Sequence, residues 1–167
     1  MGRASSSAAA DSFSAENDAS RWHAAFLDTQ NIWDSSRSLL DHIWIVGVNS
    51  SDRLLYTSDN PVIAQPYSPI TKIIGAGGFA AVGTEVQSPL NSRQVLCLFE
   101  RSHFAEHQAL DSTIILLNGE QVDRCNSFQI SSAERQVFCG VNDFDLARRY
   151  CEMVLECRES NRYRLDF

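Results

Sequence analysis

Six short apolar runs lie between residues 43 and 139, separated by turns, loops or a helical stretch. Runs of this length, rich in Ile, Val and Leu, are typical of β-strands. They lie at Ile43–Val48, Leu54–Thr57, Thr84–Ser88, Gln94–Glu100, Thr113–Leu117 and Val137–Cys139. The first two are separated only by the turn cluster 49–52, so we expect them to form an antiparallel hairpin.

Three stretches instead repeat apolar residues near every third or fourth position, which predicts helices. These stretches run from Trp22 to Leu40, from Glu120 to Ser131, and from an N-cap at Asp143 to Leu155. Helices alternating with mostly adjacent strands predict an α+β fold, with a largely antiparallel sheet flanked by helices. A chain of 167 residues has room for one core, so we expect a single domain over residues 18–167. The Ser- and Ala-rich segment 1–17 is predicted to be disordered.

The charge and cysteine content limit the classes of partner and cofactor. The formal net charge is −7, and the C-terminal arginines alternate with acidic residues, which argues against nucleic-acid binding. Five cysteines without a C-x-x-C pair resemble neither a disulfide framework nor a zinc site, so no metal ligands are assigned and cofactors stay unknown. The chain has no secretory signal and no apolar run long enough for a membrane span. We therefore expect a cytoplasmic protein that does not insert in a membrane.

The segment Ser58-Asp59-Asn60 concentrates polar groups at the end of a predicted strand, directly before Pro61. Its hydroxyl, carboxylate and carboxamide could line a polar pocket. In that pocket Asp59 would be a general base, a metal ligand or an anchor for a donor, and Asn60 would orient a substrate. The alternative is structural, because Asp and Asn before proline commonly form turns that satisfy their own backbone. The sequence leaves both interpretations open.

Three separated blocks of residues carry a resemblance to a known family. They are Ser58-Asp59-Asn60-Pro61-Val62; Ser88-Pro89-Leu90 with Val95-Leu96-Cys97-Leu98; and Asn126 with Ala133, Arg135, Val137 and Phe138. These blocks resemble the S-D-N-P-V core, the proline–leucine turn with its apolar strand, and the closing asparagine and A-x-R-x-V-[FY] block of domain of unknown function 4238, an uncharacterised bacterial and fungal family. The resemblance covers about residues 20–145. Family members usually begin with an H-[YF]-[IV]-P segment that this sequence lacks, so we expect the chain to be the C-terminal part of a longer protein or a shortened member.

Two classes of function follow from these residues. The first is a module that binds a small polar ligand or a protein at Ser58, Asp59 and Asn60, with Asn126 and Arg135 as further contacts. The second is a metal-assisted hydrolase of a phosphoester or similar polar substrate, with Asp59, Asn60 and Arg135 as candidate catalytic residues. That enzyme would be incomplete in this chain if the missing histidine belongs to the active site.

Two other motifs imitate known sites. The pentapeptide His103-Phe104-Ala105-Glu106-His107 matches the H-x-x-E-H pattern, in which two histidines one helical turn apart bind zinc. It lies between two predicted strands of a small domain, where a zinc hydrolase is not expected. The glycine-rich segment 75–83 lacks the partner motifs of a kinase or a dinucleotide-binding turn, so it is interpreted as a loop that could cover the pocket.

Overall fold

The computed structural model describes residues 28–66 and 78–154 of the chain. These residues divide between two compact units, the second of which begins at Arg37. The predictions for residues 1–27, 67–77 and 155–167 lie outside the described residues, and the predicted domain limits stay a prediction. No helix within the described ranges combines the length and the apolarity needed to cross a membrane.

Along the described residues, five consecutive strands follow the first helix, and helical elements then separate the two later strands. In chain order, the elements are helix α1 (Thr29–Leu40), strands β1 (Ile43–Asn49), β2 (Thr57–Ser58), β3 (Ile63–Pro66), β4 (Thr84–Asn91) and β5 (Gln94–Phe99), a 3₁₀ helix (Ala105–Leu110), strand β6 (Thr113–Leu117), helix α2 (Gly119–Ser132), strand β7 (Val137–Phe138) and helix α3 (Asp145–Met153).

Five of the strands form one sheet in the order β3-β4-β5-β1-β6. All neighbours are antiparallel except β1 and β6, which are parallel. Alternate residues of β1 are buried, because one face of the sheet packs on the core and side chains alternate between faces. The prediction of an α+β fold with a mostly antiparallel sheet is confirmed.

The core on this face joins the sheet to α2. Its main cluster combines side chains of β5, β6 and α2 with Leu55: Val95, Cys97, Leu117, Val122 and Cys125. At its centre, β1 carries Gly47, where a Cβ atom would lie 2.6 Å from Leu117 Cδ1. The absence of a side chain at this position lets β6 and its leucine lie close to β1.

The predicted hairpin between residues 43–48 and 54–57 is wrong. Strand β1 pairs with β5 and β6, while β2 forms a separate two-stranded sheet with β7. The Asn49 side chain holds the turn by accepting from the Ser51 backbone N–H at 2.8 Å and donating to the Arg53 carbonyl. This turn leads the chain away from β1 and toward helix α2.

The boundaries of the remaining elements mostly agree with the predictions. Strands β4, β5, β6 and β7 and helix α2 form where the sequence predicts them, whereas β3 was not predicted. Helix α2 begins with a capping box in which Asn118 and Gln121 exchange side-chain-to-backbone hydrogen bonds. The predicted N-cap of α3 at Asp143 is wrong, because Phe144 occupies that position. The Asp143 carboxylate instead accepts from the Asp145 backbone N–H at 3.3 Å.

Candidate functional site

Ser58 connects strand β2 to helix α2 through a buried hydroxyl. Its Oγ lies 2.8 Å from Gln129 Oε1 and 2.9 Å from the Asn60 carbonyl, and its single proton serves these two acceptors. The Asn60 backbone N–H donates back to the same Oγ at 3.2 Å. Gln129 also donates through Nε2 to the Pro61 carbonyl at 3.0 Å. The hydroxyl is therefore engaged by the protein itself, both as a donor and as an acceptor.

Asp59 is exposed, but both of its carboxylate oxygens accept backbone hydrogen bonds. Oδ1 accepts from the Glu134 N–H and Oδ2 from the Arg135 N–H, each at 2.8 Å. Desolvation raises the pKa of the Asp59 carboxyl, yet these backbone donors together with that of Gln136 outweigh it and lower the pKa below its usual value. The carboxylate is thus a fixed anion that closes the turn after α2, and a lowered pKa makes it a weaker base.

Asn126 is buried on α2 and bonds to the segment that leads into β2. Its Oδ1 accepts from the Tyr56 N–H at 2.7 Å, and its Nδ2 donates to the Leu54 carbonyl at 2.9 Å. These bonds replace the strand partner that the predicted hairpin would have supplied. The Asn126 side chain takes the place of the backbone of a neighbouring strand, so its amide oxygen and nitrogen are both already bonded to the chain.

The structure thus brings Ser58, Asp59, Asn60 and Arg135 together in one network. The fifth predicted site residue, Asn126, bonds to the preceding segment instead. Asn60 is half-buried, and its Nδ2 points toward the Ser132 carbonyl at 3.5 Å. Arg135 is exposed, and it joins the network through its backbone N–H. Among the described residues, no ion pair joins the Arg135 guanidinium to Asp59. The exposed polar groups at this place are therefore the Arg135 side chain, part of the Asn60 amide and the Asp59 carboxylate, whose two oxygens already accept backbone hydrogen bonds.

A second polar cluster, which was not predicted from the sequence, lies between β4 and α2. The buried Glu85 carboxylate accepts a two-pronged interaction from Arg124, with Nη1 at 2.9 Å from Oε1 and Nη2 on Oε2. Gln87 donates to the same Oε1 at 2.6 Å, and the Arg124 guanidinium lies 4.8 Å from the centre of the Phe128 ring. The sequence contains one signal for this cluster. Side chains alternate between the two faces of a strand, which places Glu85 and Gln87 on the same face of β4.

The H-x-x-E-H pentapeptide does not form a helical zinc motif. Residues Ala105–Leu110 form a 3₁₀ helix, so the two histidines are not one α-helical turn apart. His107 instead packs its ring edge-on to Phe99 at 5.2 Å and stacks with Phe104 at 5.8 Å. Within the described ranges, no group of three or more His, Cys, Asp or Glu side chains is arranged to hold a metal ion.

Comparison with known proteins supports the resemblance carried by these residues. No curated protein and no solved structure matches the chain. A family described as protein of unknown function (DUF4238) matches residues 5–142, a range that includes the whole Ser58–Asp59–Asn60 network and its partners on α2. The chain therefore belongs to the DUF4238 family of uncharacterised proteins.

Proposed function

We propose that the domain is a binding module that carries out no chemistry, and that its ligand contacts the exposed rim of the Ser58–Asp59–Asn60 network. This proposal is supported by the hydrogen bonds of Asp59, whose two carboxylate oxygens each accept from a backbone N–H at 2.8 Å. An ionised carboxylate held in this way stabilises the chain locally and is a weak proton acceptor.

A role for Ser58 as a nucleophile, which is separate from the metal-assisted hydrolase, meets the same difficulty. Ser58 Oγ is buried and lies within hydrogen-bond distance of Gln129 and the Asn60 carbonyl, so a substrate would have to break these contacts to reach it. Activation of a serine also requires an adjacent base, and Asp59 is directed to the backbone of residues 134 and 135. The contacts of Ser58 disfavour a serine nucleophile, and those of Asp59 favour the binding module over the metal-assisted hydrolase.

The rim offers groups that suit a small polar ligand with an anionic group. Arg135 is exposed, and a guanidinium can pair with a carboxylate or phosphate through two parallel hydrogen bonds. Asn60 directly follows Asp59, whose carboxylate accepts from the Arg135 backbone N–H, so both rim residues belong to one hydrogen-bonded network. The Asn60 amide adds a donor and an acceptor for a neutral polar group of the ligand.

Arg135→Ala separates binding from folding, because it removes the side chain and keeps the backbone N–H that Asp59 requires. Calorimetric and thermal-shift screens would compare wild type, Arg135→Ala and the control Arg149→Ala against a panel of small carboxylates and phosphates. We expect a ligand that stabilises wild type and Arg149→Ala, and that binds Arg135→Ala at least tenfold more weakly. Equal binding by all three proteins would contradict the proposed rim.

A second arm tests the hydrolase alternative. Wild type and Asp59→Asn, both checked for folding by circular dichroism, would be assayed on phosphodiester and phosphomonoester substrates with divalent metals added. We expect no turnover above background. Metal-dependent turnover that is lost in Asp59→Asn would overturn the binding module and establish the enzyme.

A further inference from the structure

Strand β6 ends the five-stranded sheet and presents two large apolar side chains to solvent. Among the described residues its neighbour in the sheet is β1 alone. Ile114 and Leu116 are each 72% exposed, while Leu117 on the opposite face is buried in the core. Within residues 28–66 and 78–154, the strand therefore has an unpaired edge next to an exposed apolar pair.

The backbone of β6 shows which groups point to that edge. The Leu117 carbonyl accepts from the Ser50 N–H at 3.0 Å, on the side of β1. Backbone groups of successive residues in a strand alternate in direction, so those of Ile115 and Thr113 also face β1. The N–H and C=O groups of Ile114 and Leu116 consequently face away from the sheet, where a further strand would bond to them.

We propose that β6 pairs with β6 of a second copy of this chain, antiparallel and about a two-fold axis at Ile115. In this register Ile114 of each copy lies opposite Leu116 of the other copy. The backbone N–H and C=O groups of both residues face away from β1. Each Ile114–Leu116 pair therefore exchanges two backbone hydrogen bonds, and the dimer gains four. The side chains of each pair lie on the same face, and their exposed apolar surfaces cover each other.

The charge pattern favours a second copy as the occupant. Natural edge strands usually carry charges or proline that prevent such pairing, yet Thr113–Leu117 has neither. The flanking positions carry little charge as well. In the sequence, positions 111–119 contain one ionisable residue, Asp111, which forms an ion pair with Arg101 at 2.6 Å. The proposed register places Asp111 opposite Gly119 of the other copy. Two chains of net charge −7 can therefore meet along this strand without facing like charges across it.

The contact is short, so the association should be reversible and should depend on concentration. A five-residue strand with two exposed apolar residues buries less surface than a permanent dimer does. Sedimentation equilibrium over a dilution series would show the average mass of wild type rising toward that of a dimer. Hydrogen exchange would show the amides of Ile114 and Leu116 gaining protection over the same range of concentration.

Leu116→Lys tests the proposal, because it places like charges beside the symmetry axis and leaves the core unchanged. We expect this variant, and independently Ile114→Lys, to remain monomeric at concentrations where wild type is mostly dimeric. Leu40→Lys alters an equally exposed leucine at the end of α1, which is 73% exposed, and should dimerise as wild type does. Circular dichroism would confirm that all the variants are folded.

Three results would overturn the proposal. The first is a wild type that stays monomeric up to its solubility limit. The second is dimerisation of Leu116→Lys and Ile114→Lys to the same extent as wild type. The third is protection of the Ile114 and Leu116 amides that does not change with concentration, which would assign this edge of β6 to another segment of the same chain.

Discussion

The Asp59 carboxylate meets Arg135 through the main chain, with Oδ2 2.8 Å from the Arg135 backbone nitrogen. The sequence suggests that Asp59 and Arg135 line one pocket. In the structure, Asp59 bonds to the main chain of Arg135 and not to its guanidinium. The Asp59 side chain acts as a clamp on the turn after α2. The arginine side chain remains exposed.

Asp59→Ala should destabilise the domain by about 1 kcal/mol at neutral pH, as is typical when a side chain that satisfies backbone N–H groups is lost. Asp59→Asn should cost less, because its amide oxygen can still accept one of the two bonds. The folded-state pKa is lower than the value of 3.8 expected for the unfolded chain, so the carboxylate stabilises the fold above that pH. The contribution is lost as the pH falls through the folded-state pKa.

Urea unfolding at a series of acidic and neutral pH values would check this dependence. The stability difference between wild type and Asp59→Ala should shrink in acid as the wild-type carboxyl becomes protonated. Asp52→Asn, a change of an exposed acid in the β1–β2 connection, serves as the control and should leave the profile unchanged. A difference that stays constant with pH would show that the charge of Asp59 is not involved.

Asn126→Ala should cost about 2–4 kcal/mol, because it leaves the Tyr56 N–H and the Leu54 carbonyl without their partner in a buried place. Chemical denaturation would measure the loss. The control Ser127→Ala, on the next residue of α2, removes a hydroxyl that bonds the Asp123 carbonyl within the same helix, and it should cost well under half as much. Similar costs for the two variants would contradict the proposed role of Asn126.

Arg124→Met should destabilise the domain by about 1.5–3 kcal/mol, because it leaves the buried Glu85 carboxylate without its charged partner. Replacing both residues in Glu85→Met/Arg124→Met should recover much of that loss, since the uncompensated buried charge is then absent. A double-mutant cycle measured by denaturation gives the coupling. Additive costs for the two single changes would show that the pair does not act as a unit.

Gly47→Ala should destabilise the domain by about 1–3 kcal/mol, because the new methyl group would lie 2.6 Å from Leu117 Cδ1 and 3.0 Å from Val95 Cγ1. The matched change Gly78→Ala meets no atom within 4 Å and should be close to neutral. Thermal unfolding would compare the two variants. Addition of Leu117→Ala should then cost less in the Gly47→Ala background than in wild type, because the two side chains compete for one space.

Thiol labelling should divide the cysteines by burial. Desolvation raises the pKa of both Cys97 and Cys125, that of Cys125 to about 11, so neither forms the reactive thiolate at neutral pH. Of the four cysteines that the structure describes, Cys139 and Cys151 are only partly buried and should react before Cys97 and Cys125 in the native protein. Mass spectrometry of labelled peptides, with and without denaturant, would test this order. Rapid native labelling of Cys97 would contradict the packing of the core.

Local patterns in the sequence were enough to determine the fold class and most of its elements. The alternation and composition of residues 84–88, 94–100 and 113–117 predict strands that the structure contains, and the periodicity after residue 120 predicts α2. These signals are local, because apolar spacing and backbone preference act within a few residues. The sequence also singled out Ser58, Asp59 and Asn60 as candidate site residues, and their function stays a prediction.

The tertiary structure alone decided which segments became neighbours. Alternation in a strand shows which side chains are buried but not which strand lies beside it, so the parallel pairing of β1 with β6 and the loss of the expected hairpin could not be predicted. Bonds from Asn126 to Tyr56 and from Asp59 to Arg135 join positions far apart in the chain. Such bonds depend on how α2 packs against the sheet, because only that packing brings these side chains within reach of the backbone groups that they satisfy.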